Sequence, residues 1–258
     1  MPPDFVYELP PAAMFFSILG LTGLVALGLH LLFMFKAAHH VCGRLADLSP
    51  VVTTLCGTLF VLSVTFLANS VWQTEDRARE TVNAEARSLR VIETYMDAMT
   101  ASSRDGFARI INTYGQAVGG EWRRMADPAS RADAEQQLKD VYAAVIEGFS
   151  EGDKNRLLQQ RILGALDQLS IARQQRLSLA QDVVSAGQWF LVTMLGLLLL
   201  VMIALGHGRF PFVRAIALSA IGMAISIALF IILAHDRPFV GYHAVTPQPI
   251  LAAAGVAG

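Results

Sequence analysis

Four polar side chains, Thr54, Thr58, Thr65 and Asn69, recur at helical spacing along one stripe of an otherwise apolar stretch, with Ser63 and Ser70 close by. Cys56, Phe60 and Val64, spaced i, i+4, i+8, fall roughly opposite. A hydroxyl or amide inside hydrocarbon is costly unless something satisfies it. Two kinds of chemistry meet that need. Small polar groups can hold helices together at close approach, or one face of the helix can line a wetted or gated conduit in an oligomer. The pattern leaves both open.

Other reactive residue types do not assemble into a site. The histidines are His30, His39, His40, His207, His235 and His243, and no pair has the spacing with carboxylates that a hydrolytic zinc centre needs. His39 and His40 are adjacent, so on a regular element their side chains point apart. Cys42 and Cys56 fit neither a metal framework nor a disulfide framework. There is no glycine-rich phosphate loop and no nucleophile elbow, so no catalytic residue, metal or cofactor is expected and the chain is not read as an enzyme. One further cluster stands out, HDRPFVGYH at 235–243. Asp236 and Arg237 would sit at a membrane surface, Pro238 would stop a helix, and Phe239 with Tyr242 would supply interface aromatics. Its structural reading is a capped, anchored helix end. Its functional reading is a clasp that docks the end of the chain on soluble helices.

The elements that must position these groups follow from composition. Of the 258 residues, 54% are hydrophobic and 16% charged, well below the roughly 25% charged of a soluble domain. The charge is also concentrated, because residues 73–185 hold 15 of the 20 Lys and Arg and 17 of the 21 Asp and Glu. A water-soluble block therefore lies between two apolar ones. Four segments, Phe15–Phe35, Val51–Trp72, Gly187–Leu205 and Ala215–Ala234, reach the ~20 residues needed to cross a bilayer. The first is read as a span rather than a signal peptide, since MPPDFVYELPPAA carries acids and no base. A net charge of −1 gives no electrostatic reason to expect nucleic acid.

The expected fold is an all-α membrane protein with four transmembrane helices and a helical soluble bundle inserted between spans two and three. The divisions are a tail at 1–13, spans one and two in 14–72, the soluble domain at 73–185, spans three and four in 186–235, and a C-terminal tail at 236–258. Apolar residues at three and four spacings predict soluble helices over 74–100, 105–125, 130–149 and 154–185. Gly119-Gly120 is expected to break the second, and Asp127-Pro128 to close it. No breaker follows Trp72, so span two should run on into water as one rod, and the last soluble helix should lead directly into span three. The tail from Phe239 on shows no helical period and is expected to be extended or disordered.

Orientation stays open on charge alone. Lys36, Arg44, Arg209 and Arg214 in the short loops place those loops in the cytoplasm and the soluble block outside. Arg77, Arg79, Arg87, Arg90, Arg173 and Arg176 lie near the opposite face.

Several stretches together resemble the bestrophin family, most closely its bacterial bestrophin-like branch. They are VLSVTFLANSVWQTEDRAR (61–79), AEARSL (84–89), YGQAVGGEWRRM (114–125), LDQLSIARQQRLSL (166–179) and HDRPFVG (235–241), the last similar to an Asp-Arg-Pro-Phe-x-Gly signature. The resemblance covers about residues 50–250. It implies a homopentamer in a bacterial inner membrane, a cytosolic helical bundle, and a central pore for small anions such as chloride, lined by span two. Carried over without gaps, the family's apolar neck falls on Cys56, Phe60 and Val64, which would gate by dewetting. The polar stripe would then be packing glue. Besides the tryptophan pair being reduced to Trp72, two departures accompany it: Val240–Gly258 contains no Asp or Glu, which argues against calcium binding at the tail, and the family's cytosolic helical block runs against the short-loop charge count, where the family's orientation is preferred. The alternative is a non-conducting four-span scaffold or sensor whose soluble domain binds a partner.

Overall fold

Long apolar runs opened by proline or by a small polar residue set the membrane helices. The computed structural model describes residues 6–7, 9–34, 49–97, 101–122, 124–125, 127, 130–148, 153–181, 183–207 and 210–256, and these form eight helices with no strand. His39, His40 and Cys42, singled out above, lie outside the described residues, as do Lys36, Arg44, Arg209 and Pro128. The chain divides into two compact units, one comprising Met1–Gln73 with Val183–His243 and the other Thr74–Asp182 with Ala244–Gly258.

Four helices are long and apolar enough to span a membrane. Helix α1 is Pro11–Leu32 and α2 is Ser49–Met96; α6 is Ala186–Gly206 and α7 is Pro211–His235. Proline opens α1 and α7, where a missing N–H costs nothing and φ is already helical. In the first unit α1 packs on α7 and on α6, and α6 packs on α7. Phe60, Leu67, Val71, Val192, Leu200, Leu218 and Ile232 make the core. Gly196 allows close approach here, because a Cβ at that position would stand 3.3 Å from Phe60 Cε2 and 3.5 Å from Ile225 Cγ2. Arg214, 1% exposed, turns its guanidinium to the end of α1 and donates to the carbonyls of His30 (3.3 Å) and Phe33 (3.4 Å). These are carbonyls that the helix cannot satisfy itself.

Helix α2 is continuous over 48 residues, roughly 70 Å at 1.5 Å per residue, as the absence of a breaker after Trp72 predicts. Span three behaves differently. Helix α5, Asp153–Leu179, stops, and α6 starts afresh at Ala186. Ser185 Oγ accepts from Gln188 N–H (3.2 Å) while Gln188 Oε1 accepts from Ser185 N–H (2.9 Å). This capping box satisfies two N–H groups at a helix start, so the single rod expected through residue 185 is corrected to two helices.

In the second unit, α3 (Ala101–Trp122) packs on α4 (Arg131–Glu147), which packs on α5. Leu89, Ile92, Tyr114, Val118, Val141, Ile162 and Leu166 lie at the centre. Two further expectations are corrected. Helix α3 runs through Gly119-Gly120 without a break; Gly119 faces the tail, where an added Cβ would stand 3.4 Å from Leu251 Cδ2, and Gly120 lies on the exposed side. The tail is neither extended nor disordered, since Gln248–Ala253 forms α8 against α3 with Ile250 fully buried.

Candidate functional site

Within the membrane unit α2 has two dissimilar sides. Cys56 (5% exposed) and Phe60 (6%) join Leu67, Ala68 and Val71 in the chain's own core, and Val64 packs at its edge. Thr54, Thr58, Thr65 and Asn69 lie on the exposed side. Cys56 and Phe60, expected at an apolar neck, thus fill space between helices of the chain's own unit, and Val64 borders them.

The exposed side carries its own alternation. Thr54, Thr58 and Thr65 donate their hydroxyl protons to carbonyls one turn back, at 2.9, 2.9 and 2.8 Å. Their oxygens keep lone pairs facing outward. Asn69 makes no hydrogen bond among the described residues, so its amide presents both donors and acceptor to whatever covers this face. Between these polar turns lie Val61 and Leu62, 60% and 47% exposed.

The post-span motif is a clamp. Helix α7 ends at His235, and buried Asp236 accepts from the Val184 N–H (2.7 Å) and from the Tyr7 hydroxyl. The Arg237 guanidinium lies over the Tyr7 ring, 4.3 Å from its centroid, a cation–π contact. Burial, then the bond to Asp236, pushes the Tyr7 phenol well above its usual range. Pro238 and Phe239 are buried. Gly241 has φ +99°, and a Cβ there would come 3.1 Å from the Tyr7 carbonyl oxygen, so a side chain is disfavoured on both counts. His235 and His243 stack with centroids 5.5 Å apart.

The second unit contains a buried charge cluster that the pattern reading missed. Arg176 bonds Glu85 and, through Nη1, Glu121 (3.0 Å); Arg173 Nη2 bonds Glu121 (2.6 Å). Two cations and two anions balance, which is the condition for charge to persist in an interior. Burial alone would lower the Arg176 pKa, but Glu85 and then Glu121 outweigh it and hold the group above its ordinary value. The Tyr114 hydroxyl donates to Glu85 Oε1 (2.9 Å), and burial and that carboxylate raise its pKa well above normal. The face of Trp122 receives Arg176 (4.8 Å), and its Nε1–H donates to the Val245 carbonyl (3.1 Å). The end of the chain, from Ala244 on, thus docks on helices of the second unit.

A bestrophin-like domain model matches residues 19–250. The chain belongs to the bestrophin-like family. A search of the curated proteins returns no match. Crystal structures of a bacterial bestrophin homologue from Klebsiella pneumoniae share the bestrophin-like fold. One, phased on zinc, is 12% identical with TM-score 0.70, over 94% of this chain and 99% of that one. Two carrying point substitutions give TM-scores of 0.71 and 0.72, each at 12% identity over 93% of this chain, and over 97% and 96% of theirs. The bestrophin-like match extends across spans, soluble helices and most of the tail, so the elements described above belong to one domain pattern.

Proposed function

We propose that this bestrophin-like chain is the subunit of an oligomeric ion channel, a pentamer in a bacterial inner membrane that passes small anions such as chloride. The exposed side of α2 surrounds the central passage. The observation that carries this reading is the outward-facing row Thr54, Thr58, Thr65 and Asn69 on a helix whose opposite side is filled by its own chain. An unsatisfied amide such as that of Asn69 is costly in lipid tails, so water, an ion or another copy must cover it. Its N–H donors, repeated around an axis, can replace part of an anion's hydration. Val61 and Leu62 form the apolar turn at which such a passage would dewet and gate.

Halide flux from liposomes containing the purified protein tests the reading. The wild type is expected to pass bromide or chloride, Val61→Ser with Leu62→Ser to raise the flux several-fold, and Asn69→Leu to lower it. Phe60→Ala should act through stability instead. Flux equal to that of empty liposomes, from particles of intact subunit number, would leave the non-conducting scaffold, in which the same polar row only joins copies.

A further inference from the structure

We infer that the groove between α2 and α5 in the second unit is a binding site for a small oxyanion, a carboxylate or a phosphate group. The cavity measures about 430 Å³ and is lined by Arg77, Glu80, Thr81 and Arg87 of α2 with Gln175 and Ser178 of α5. Its two arginines stand apart from most of their neighbours. Arg79 is paired with Glu75, while Arg173 and Arg176 share Glu85 and Glu121. Arg77 and Arg87 are exposed and have no ion pair among the described residues, although Glu80 lines the same groove.

The donor set selects the ligand. The Thr81 hydroxyl proton is committed to the Arg77 carbonyl (2.7 Å) and that of Ser178 to the Gln175 carbonyl (2.8 Å). What remains to face a ligand is two guanidinium forks and the Gln175 amide. A planar fork with two parallel N–H bonds matches the paired oxygens of a carboxylate or phosphate better than it matches a spherical halide. The lining carries two positive charges and one negative, a surplus of one, so Glu80 weakens the site it borders. Nothing here depends on conduction, and none of the groove's residues belongs to the row Thr54, Thr58, Thr65 and Asn69.

Isothermal titration of the full chain in detergent, with inorganic phosphate and with succinate at constant ionic strength against chloride, tests the assignment. Saturable binding of phosphate, succinate or both is expected, and their ranking identifies the preferred group. Arg77→Gln and Arg87→Gln should each weaken it about tenfold, as loss of a charge-assisted contact does, while Glu80→Gln should tighten it. Heats no greater than those of chloride, or binding unmoved by all three substitutions, would overturn the site. So would a change in copies per particle in place of a change in binding, since the arginines would then serve a neighbouring copy. Halide flux on the same variants separates the two readings: flux without oxyanion binding sinks only the groove, and binding without flux sinks only the channel.

Discussion

Arg176 on α5 and Glu85 on α2, 91 residues apart in sequence, form a two-point ion pair with both side chains fully inside the protein, Nε to Oε2 at 2.8 Å and Nη2 to Oε1 at 3.2 Å. Removing the cation strands Glu85 and half of what neutralises Glu121. Arg176→Met should therefore cost about 3–5 kcal/mol, the range for breaking one side of a buried pair. Glu85→Gln keeps an acceptor for Tyr114 and should cost less. Thermal unfolding of the solubilised protein ranks the two, and an Arg176→Met protein as stable as wild type would remove the cluster from the account of what holds the second unit together.

Two tyrosines set an alkaline limit on the second unit. Burial, then its bond to Asp167 (2.9 Å), pushes the Tyr142 phenol up to about 12, and burial with the Glu85 carboxylate holds Tyr114 well above its ordinary value. A folded-state value above the unfolded one means that the folded chain holds its proton longer. The associated stability is complete below about pH 10, the ordinary tyrosine value, and declines as pH rises from there toward the folded values. Melting temperature should fall between about pH 10 and 12, and the fall should be shallower in Tyr142→Phe and in Tyr114→Phe. An unchanged slope in both would assign the alkaline loss to other groups.

Much of this architecture is legible in the residues. Four spans follow from apolar length, and the continuity of α2 follows from the missing breaker after Trp72. The cap at Ser185 was also readable as Ser-x-x-Gln ahead of an apolar run, but the absence of any Pro or Gly between Gly164 and Gly187 masked the stop. Glu85 occupies a position within the apolar run Val82, Leu89, Ile92, and Arg173 with Arg176 continue the run Leu166, Leu169. Charged residues on a buried stripe are the signal that buried pairing leaves, and only a fold can say which partner each one meets. The six-residue α8 is too short for any period to register. Which side of α2 meets its own chain was not decidable either, because in a membrane both sides are apolar enough to be buried.

The docked tail rests on one glycine. A Cβ on Gly115 would stand 2.5 Å from Ala254 Cβ and 2.9 Å from Val256 Cγ2, closer than non-bonded atoms approach. Gly115→Val should displace the tail, at about 1–3 kcal/mol for overpacking, and should weaken the Asn112 bond to the Gly255 carbonyl (2.8 Å). Amide exchange and protease cutting within 244–256 should both speed up. A tail as protected as in the wild type would mean that α3 shifts to accommodate the side chain.

The clamp at Asp236 predicts a graded series in the membrane unit. Its carboxylate receives two donors from distant parts of the chain, Val184 N–H and the Tyr7 hydroxyl, at 3% exposure. Tyr7→Phe removes one donor together with its bond, leaving an acceptor that still has Val184, and should cost about 1 kcal/mol. Asp236→Ala leaves both donors buried and unpaired, at about 1–3 kcal/mol for each, and also takes away the charge beside Arg237. Asp236→Asn keeps one oxygen but turns an N–H₂ toward a donor, so it should fall between the other two. Melting of the detergent-solubilised protein should give the order Tyr7→Phe, Asp236→Asn, Asp236→Ala in increasing loss. Equal losses for Tyr7→Phe and Asp236→Ala would mean that the Val184 bond contributes nothing and that the motif acts through Tyr7 alone.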